Sequence, residues 1–343
     1  MIHSRRSFLL VLLLPGLSSM FSSDASAQSK VGTTVGQFLK IEPSARVAAM
    51  GNTGASLFGE SSAAVFNPAS LGRLDKSDVQ FSHLDWLVES DYNYASLAVK
   101  VAEVGTFFLQ IISLNSGEIE VRTVNQPLGT GERYDVGNFA LGTGYGRMIT
   151  DRVSIGVQVN YWQERIWHSS ISGLGLNFGI QYQLTSNGPT LGASVANFGL
   201  RSGYDGTDLY VEYDFDSDVF GDNDKLPAGL RTDEYSLPTN FRVGLSWPVQ
   251  LHDNNRLLIA IDGSNPNDNN QSVRLGAEWQ LFNYFYLRGG YRDLFLDESE
   301  GGMTLGGGID IPYAQNYTLH FDYAWADYGR LDVAHRLTIG VKF

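Results

Sequence analysis

The chain has 343 residues, no cysteine, a net charge of −13 and a pI near 4.8. The missing cysteines exclude disulfides, thiolate metal sites, a cysteine nucleophile and a lipoprotein anchor, and the acidic balance argues against nucleic acid as a partner. Aromatics at 12% with 38 glycines suit a β protein better than a helical one.

Residues 1–27 read as a signal peptide. Arg5 and Arg6 form a positive n-region, Phe8 to Leu14 a short apolar core, and Ala25-Ser26-Ala27 a cleavage site before Gln28. Ser4 to Leu9 resembles a twin-arginine signal, but the leucine-rich core and the need to export a barrel unfolded favour the general route. Past this leader no stretch approaches the ~20 apolar residues of a membrane helix.

Residues 28–75 form an N-terminal extension whose core, PSARVAAMGNTGASLFGESSAAVFNPASLG (43–72), is small, glycine- and alanine-rich and nearly uncharged. It is too weakly amphipathic for a surface helix and too polar to span a membrane. Glu60 to Phe66 predicts a brief helix, and Pro68 biases Asn67 out of the α region and ends it. If a large barrel follows, its lumen must be filled or left as a pore. We expect residues 43–73 to be a hatch inside that lumen, with Arg46, Met50, Gly51, Asn67, Pro68 and Leu71 as its marker residues. Arg46 would be costly there unless it pairs with an acidic lumen residue.

Residues 76–343 predict that barrel. Segments of about ten residues alternate apolar with polar or small side chains, which is the pattern of a transmembrane β-barrel. Phe241, Val243, Leu245 and Trp247 face one way, and Arg242, Gly244 and Ser246 the other. The polar face is mainly Gly, Ser, Asn and Gln with scattered charge, as a crowded lumen requires, rather than the Lys, Glu and Thr of a sandwich exposed to water. Fourteen strands are expected near 78–86, 92–101, 104–114, 134–148, 152–163, 171–185, 189–199, 238–248, 255–263, 271–281, 284–294, 301–311, 317–327 and 332–343. An even count puts both termini on the periplasmic side, and the long connections 115–133 and 200–237 follow odd strands, as extracellular loops should. The fold class is therefore all-β, a 14-stranded antiparallel transmembrane barrel with an N-terminal hatch.

The loop after the seventh strand is acidic and tyrosine-bearing, and Asp205, Asp208, Tyr210, Glu212, Tyr213, Asp214, Asp216 and Asp218 offer a candidate extracellular partner surface. A solvated loop that repels its neighbours has the same composition. Its Asp214 to Asp218 run fails as an EF-hand, because Val219 stands where glycine belongs and Lys225 at the bidentate glutamate position. Phe107 to Ile112 is apolar on both faces, which suits either a lumen pocket or packing against the hatch. Ser82, His83 and Asp85 cannot form a triad, since neighbouring strand residues point to opposite faces. No catalytic residue, cofactor site or metal site is expected. The inward charges Arg242, Arg274, Glu278, Arg288, Arg292, Asp322, Arg336 and Lys342 read as a salt-bridge network tying strands to hatch. The last strand alternates Leu337, Ile339, Val341 and Phe343, an outer-membrane assembly signal ending on an aromatic.

Phe38-Leu39-Lys40-Ile41, Ala45-Arg46, Met50-Gly51 and Asn67-Pro68-Ala69 with Leu71 resemble the N-terminal signature of the PorV/PorQ family, which is related to FadL-type transporters. The resemblance continues through Asn197-Phe198-Gly199, Phe241-Arg242-Val243-Gly244, Asn265-Pro266-Asn267-Asp268-Asn269 and Leu287-Arg288-Gly289-Gly290-Tyr291. Ser44 and Ser70 depart from it, standing where glycine is common. It implies a FadL-like barrel in the bacterial outer membrane that binds and shuttles cargo in type IX protein secretion. The implied partners are membrane lipid, the barrel assembly machinery, secretion-system proteins and the C-terminal sorting domains of cargo. The alternative is a FadL-like transporter for hydrophobic small molecules.

Overall fold

The computed structural model describes residues 31–216, 218, 225–296 and 299–343, so the expected signal peptide lies outside the described residues. The first seven wall strands are β1 (Asp78–Trp86), β2 (Ser90–Val101), β3 (Gly105–Glu120), β4 (Arg133–Met148), β5 (Val153–Ile166), β6 (Ser169–Gln183) and β7 (Thr190–Gly199). The long connection that follows carries β8 (Asp205–Gly206), β9 (Tyr210–Tyr213) and β10 (Leu226–Gly229). The wall resumes with β11 (Asn240–His252), β12 (Asn255–Pro266), β13 (Ser272–Leu281), β14 (Phe285–Leu294), β15 (Met303–Pro312), β16 (Thr318–Asp327) and β17 (Val333–Lys342).

Fourteen of these strands form one antiparallel wall, which β1 closes against β17 in the register Phe81↔Ile339. Closure leaves no unpaired edge. Alternation fixes which side chains face out: on β11, Phe241, Val243 and Trp247 are exposed while Arg242 and Ser246 are buried. The same outward row recurs as Leu275 and Trp279 on β13 and Phe321 and Tyr323 on β16. A continuous apolar band of this extent is untenable in water and marks a lipid-facing wall.

Two connections differ from the expected ones. A register shift between Asn115 and Glu118 lets β3 and β4 continue pairing to Glu120 and Arg133, so the loop expected over 115–133 shrinks to 121–132. Within 200–237, β9 and β10 form a separate two-stranded hairpin. The two long connections share one end of the barrel, the loop rim, and at the other end, the turn rim, every connection is short.

The two ends of the described chain lie at opposite rims. Ser77 and Phe343 meet at the turn rim, where the Phe343 amide donates to the Ser77 carbonyl at 2.9 Å. The first described residues instead lie at the loop rim, because Thr34 bridges Ser236 and the Val35 amide donates to the Ser236 carbonyl at 3.1 Å. Strand parity orients only the wall. It says nothing of a segment that runs through the lumen before β1.

Candidate functional site

That segment descends from the loop rim to the turn rim in short turns separated by bends. Gln37–Lys40 is one turn of 3-10 helix, α1 (Ala45–Ala49) one turn of α-helix, and Ser61–Val65 and Pro68–Arg73 are further 3-10 turns. Small residues dictate this form, since no turn has enough apolar surface to stand alone. The Ser44 hydroxyl caps α1 by accepting from the Val47 amide at 3.2 Å. Asn67 is extended, as expected before proline, and its side chain accepts from the Ala69 amide at 3.0 Å.

The wall is fitted to the segment. At Gly51, φ is +65° and an added Cβ would strike the β13 and β14 backbone. On β5, a Cβ at Gly156 would strike the Pro68 carbonyl. Met50 packs with Val47, Leu57 and Phe66, and Leu71 with Ala64, Leu74 and Phe108. Phe108 and Ile112 thus pack against the segment, while Phe107, Leu109 and Ile111 face lipid.

Charge ties the two parts together. Arg46 donates to both oxygens of Glu278 at 2.7 and 2.8 Å, and to the Phe58 carbonyl at 3.0 Å. Glu278 also accepts from Arg288 at 2.7 Å, and Arg288 pairs with Asp322, extending the chain of charges across β13, β14 and β16. Glu42 receives Arg292 at 3.2 Å and Arg336 at 3.4 Å. Arg274 pairs instead with Asp293 at 3.3 Å, between strands. At the loop rim one oxygen of Asp268 receives Thr34 at 2.8 Å, Gln37 at 2.8 Å and Lys40 at 2.9 Å. Sequence reasoning did not single out Glu42 as a partner, although it is the only acid between Gln28 and Gly59.

A cavity opens on each side of the segment. The loop-rim cavity has a volume of about 960 Å³ and the turn-rim cavity about 780 Å³. The first mixes Phe38, Trp86, Leu114 and Tyr328 with Arg242 and Arg274, while the second is charged, with Arg73, Lys100, Arg256 and Asp310 among its lining residues.

The other residues singled out from sequence lie elsewhere. Ser82 faces inward and bonds Thr338 at 2.7 Å, whereas His83 faces outward to Asn93 at 2.9 Å and Asp85 at 3.2 Å. Among the described residues His83, Asp85 and Asp91 are the one group that brings three metal-ligating atoms together, within 4.8 Å. Leu337, Ile339 and Phe343 are exposed on the outer wall, and Val341 pairs with Val79. In the acidic loop Asp208 meets His168 at 3.0 Å, while Asp214 and Asp216 accept from backbone amides two residues on, at 3.1 and 3.2 Å. Tyr210, Glu212 and Tyr213 are exposed on β9, Asp205 opens β8, and Asp218 is exposed.

No protein-family model matches the sequence, and no curated protein matches it either. Solved structures do match in fold. The toluene transporter TodX of Pseudomonas putida superposes with a TM-score of 0.57 at 15% identity, over 88% of this chain and 98% of that one. The toluene transporter TbuX of Ralstonia pickettii gives 0.52 at 14% identity, over 88% and 97%. At such identities the likeness is one of architecture, and the chain has the closed 14-stranded FadL-like barrel fold of these outer-membrane channels.

Proposed function

We propose that the chain is an outer-membrane transporter that passes small apolar molecules through a plugged FadL-like barrel. The observation that supports this best is a lumen divided by its own N-terminal segment into two cavities, in a fold shared with two proteins described as toluene transporters. Residues 43–73 act as the hatch. The loop rim faces the exterior, the turn rim faces the periplasm, and Leu337, Ile339, Val341 and Phe343 form the signal read at assembly. Membrane lipid and the barrel assembly machinery are the partners this implies, with no catalytic step. The test is the initial rate of radiolabelled toluene uptake by Gram-negative cells that lack hydrocarbon channels. Expression should raise that rate several-fold, and an unchanged rate would sink the reading. Deleting residues 43–73 should raise single-channel conductance, and unchanged conductance would remove the hatch role.

A second reading, the PorV-like shuttle for secreted cargo, is favoured by the β9–β10 hairpin. It pairs with no wall strand, and it carries exposed Tyr210 and Tyr213 beside Glu212, with Phe215 and Asp214 just beyond. Free strand edges accept a partner's strand. Co-purification of secretion components or of proteins sharing a C-terminal sorting domain would support this reading. Bound apolar molecules without such proteins would favour transport.

A further inference from the structure

Three arginines from the β11–β14 part of the wall face the loop-rim cavity: Arg242 on β11, Arg274 on β13 and Arg292 on β14. Two are neutralised, Arg274 by Asp293 and Arg292 by Glu42. Arg242 is not. It is only 7% exposed, no carboxylate lies within 4.0 Å of it among the described residues, and its Nε has no hydrogen-bond partner. Its cross-strand neighbours are Ser194 and Ser264, which carry no charge. The nearby Asp262 directs one oxygen to the Ala55 amide at 2.8 Å and leaves the other without a hydrogen-bond partner, beyond ion-pair reach of Arg242. The guanidinium lies over the face of Phe66, 5.0 Å away, a cation–π contact that offsets only part of the cost of burying a charge.

An unpaired buried cation beside a cavity is a place for an anion. The remaining lining describes the body of that anion. Phe38, Phe66, Trp86 and Tyr328 present aromatic surface, with Trp86 and Tyr328 edge to face at 5.1 Å. The volume of about 960 Å³ suits a small molecule.

We propose that the loop-rim cavity binds a small aromatic organic anion, its charged group held by Arg242 and its ring among Phe38, Trp86 and Tyr328. This rests on the transport reading and narrows it. An uncharged hydrocarbon meets the same aromatic surface but leaves the guanidinium unpaired, so it passes while binding more weakly than the anion.

The test is calorimetric titration of the detergent-solubilised barrel with benzoate and with benzamide, its uncharged near-isostere. Benzoate should bind wild type at least tenfold more tightly than benzamide does. Arg242→Gln should lose that preference while keeping the heat-modifiable migration of a closed barrel. Equal binding of the two probes to wild type would overturn the anion assignment and leave the transporter reading standing. A benzoate preference retained in Arg242→Gln would overturn the role of Arg242. Failure of both probes to bind would overturn the proposal outright, with the toluene uptake assay deciding the transport reading separately.

Discussion

Glu278 accepts from two guanidiniums, and each substitution there has a definite consequence. Replacing it by glutamine removes the charge that neutralises Arg46 and leaves it neutral acceptors alone, the Phe58 carbonyl and one amide oxygen, while Arg288 keeps Asp322. Stranding a buried charge costs about 3–5 kcal/mol. We expect Glu278→Gln to lower the stability of the seated segment by that order, seen as faster hydrogen exchange over residues 45–60 with exchange in the wall strands unchanged. Gly156 tests steric fit in place of charge, because any side chain there meets the Pro68 carbonyl. Gly156→Val should expose residues 61–73 to protease without loss of the barrel. The need of Arg46 for an acidic partner was legible from its place in an apolar, glycine-rich stretch. Which acid answers it was not, since Glu278 lies 232 positions away and many lumen carboxylates fit the same pattern.

The elements of the wall were legible because lipid outside and packed polar groups inside impose a strict period of two on every strand. The residues that escape this pattern sit where one face loses its neighbour, as at the bulge between Asn115 and Glu118. The N-terminal element was legible in composition but not in direction. Its turns obey no period, and its loop-rim anchor rests on partners far along the chain: Ser236, Asp268 and Glu164, which accepts from the Gly36 amide at 2.8 Å. Burial alone would raise the pKa of Asp268, but hydrogen bonds from Gln37, Lys40 and Thr34, together with the Lys40 charge, hold it below the ordinary carboxylate value of 3.8. A depressed carboxylate contributes its stability in full above the unfolded value and loses it as pH falls through the folded one. The anchor should therefore be intact at neutral pH and loosen progressively below about pH 4, read as rising hydrogen exchange over residues 34–41. Asp268→Asn should weaken that pH dependence, leaving the part due to Glu164 on the Gly36 amide, and show the loosened state at pH 7.

For the whole molecule, closure predicts resistance to detergent. Unheated and boiled samples should migrate differently on a denaturing gel, and identical migration would count against a closed wall. Closure also constrains the order of assembly. The seam between β1 and β17 joins the two ends of the wall, and the segment inside it enters the chain before β1. Were the ring sealed first, the whole strap with its four short helical turns would have to be threaded lengthwise through a crowded bore, past Arg292, Arg336 and Glu278, a route that folding chains avoid. The strap must instead be laid against the open sheet before the first and last strands zip together. Sealing of the ring then locks the strap from both sides of the seam, where the Ser61 amide donates to Asp78 on β1 and the Ala45 amide to Thr338 on β17.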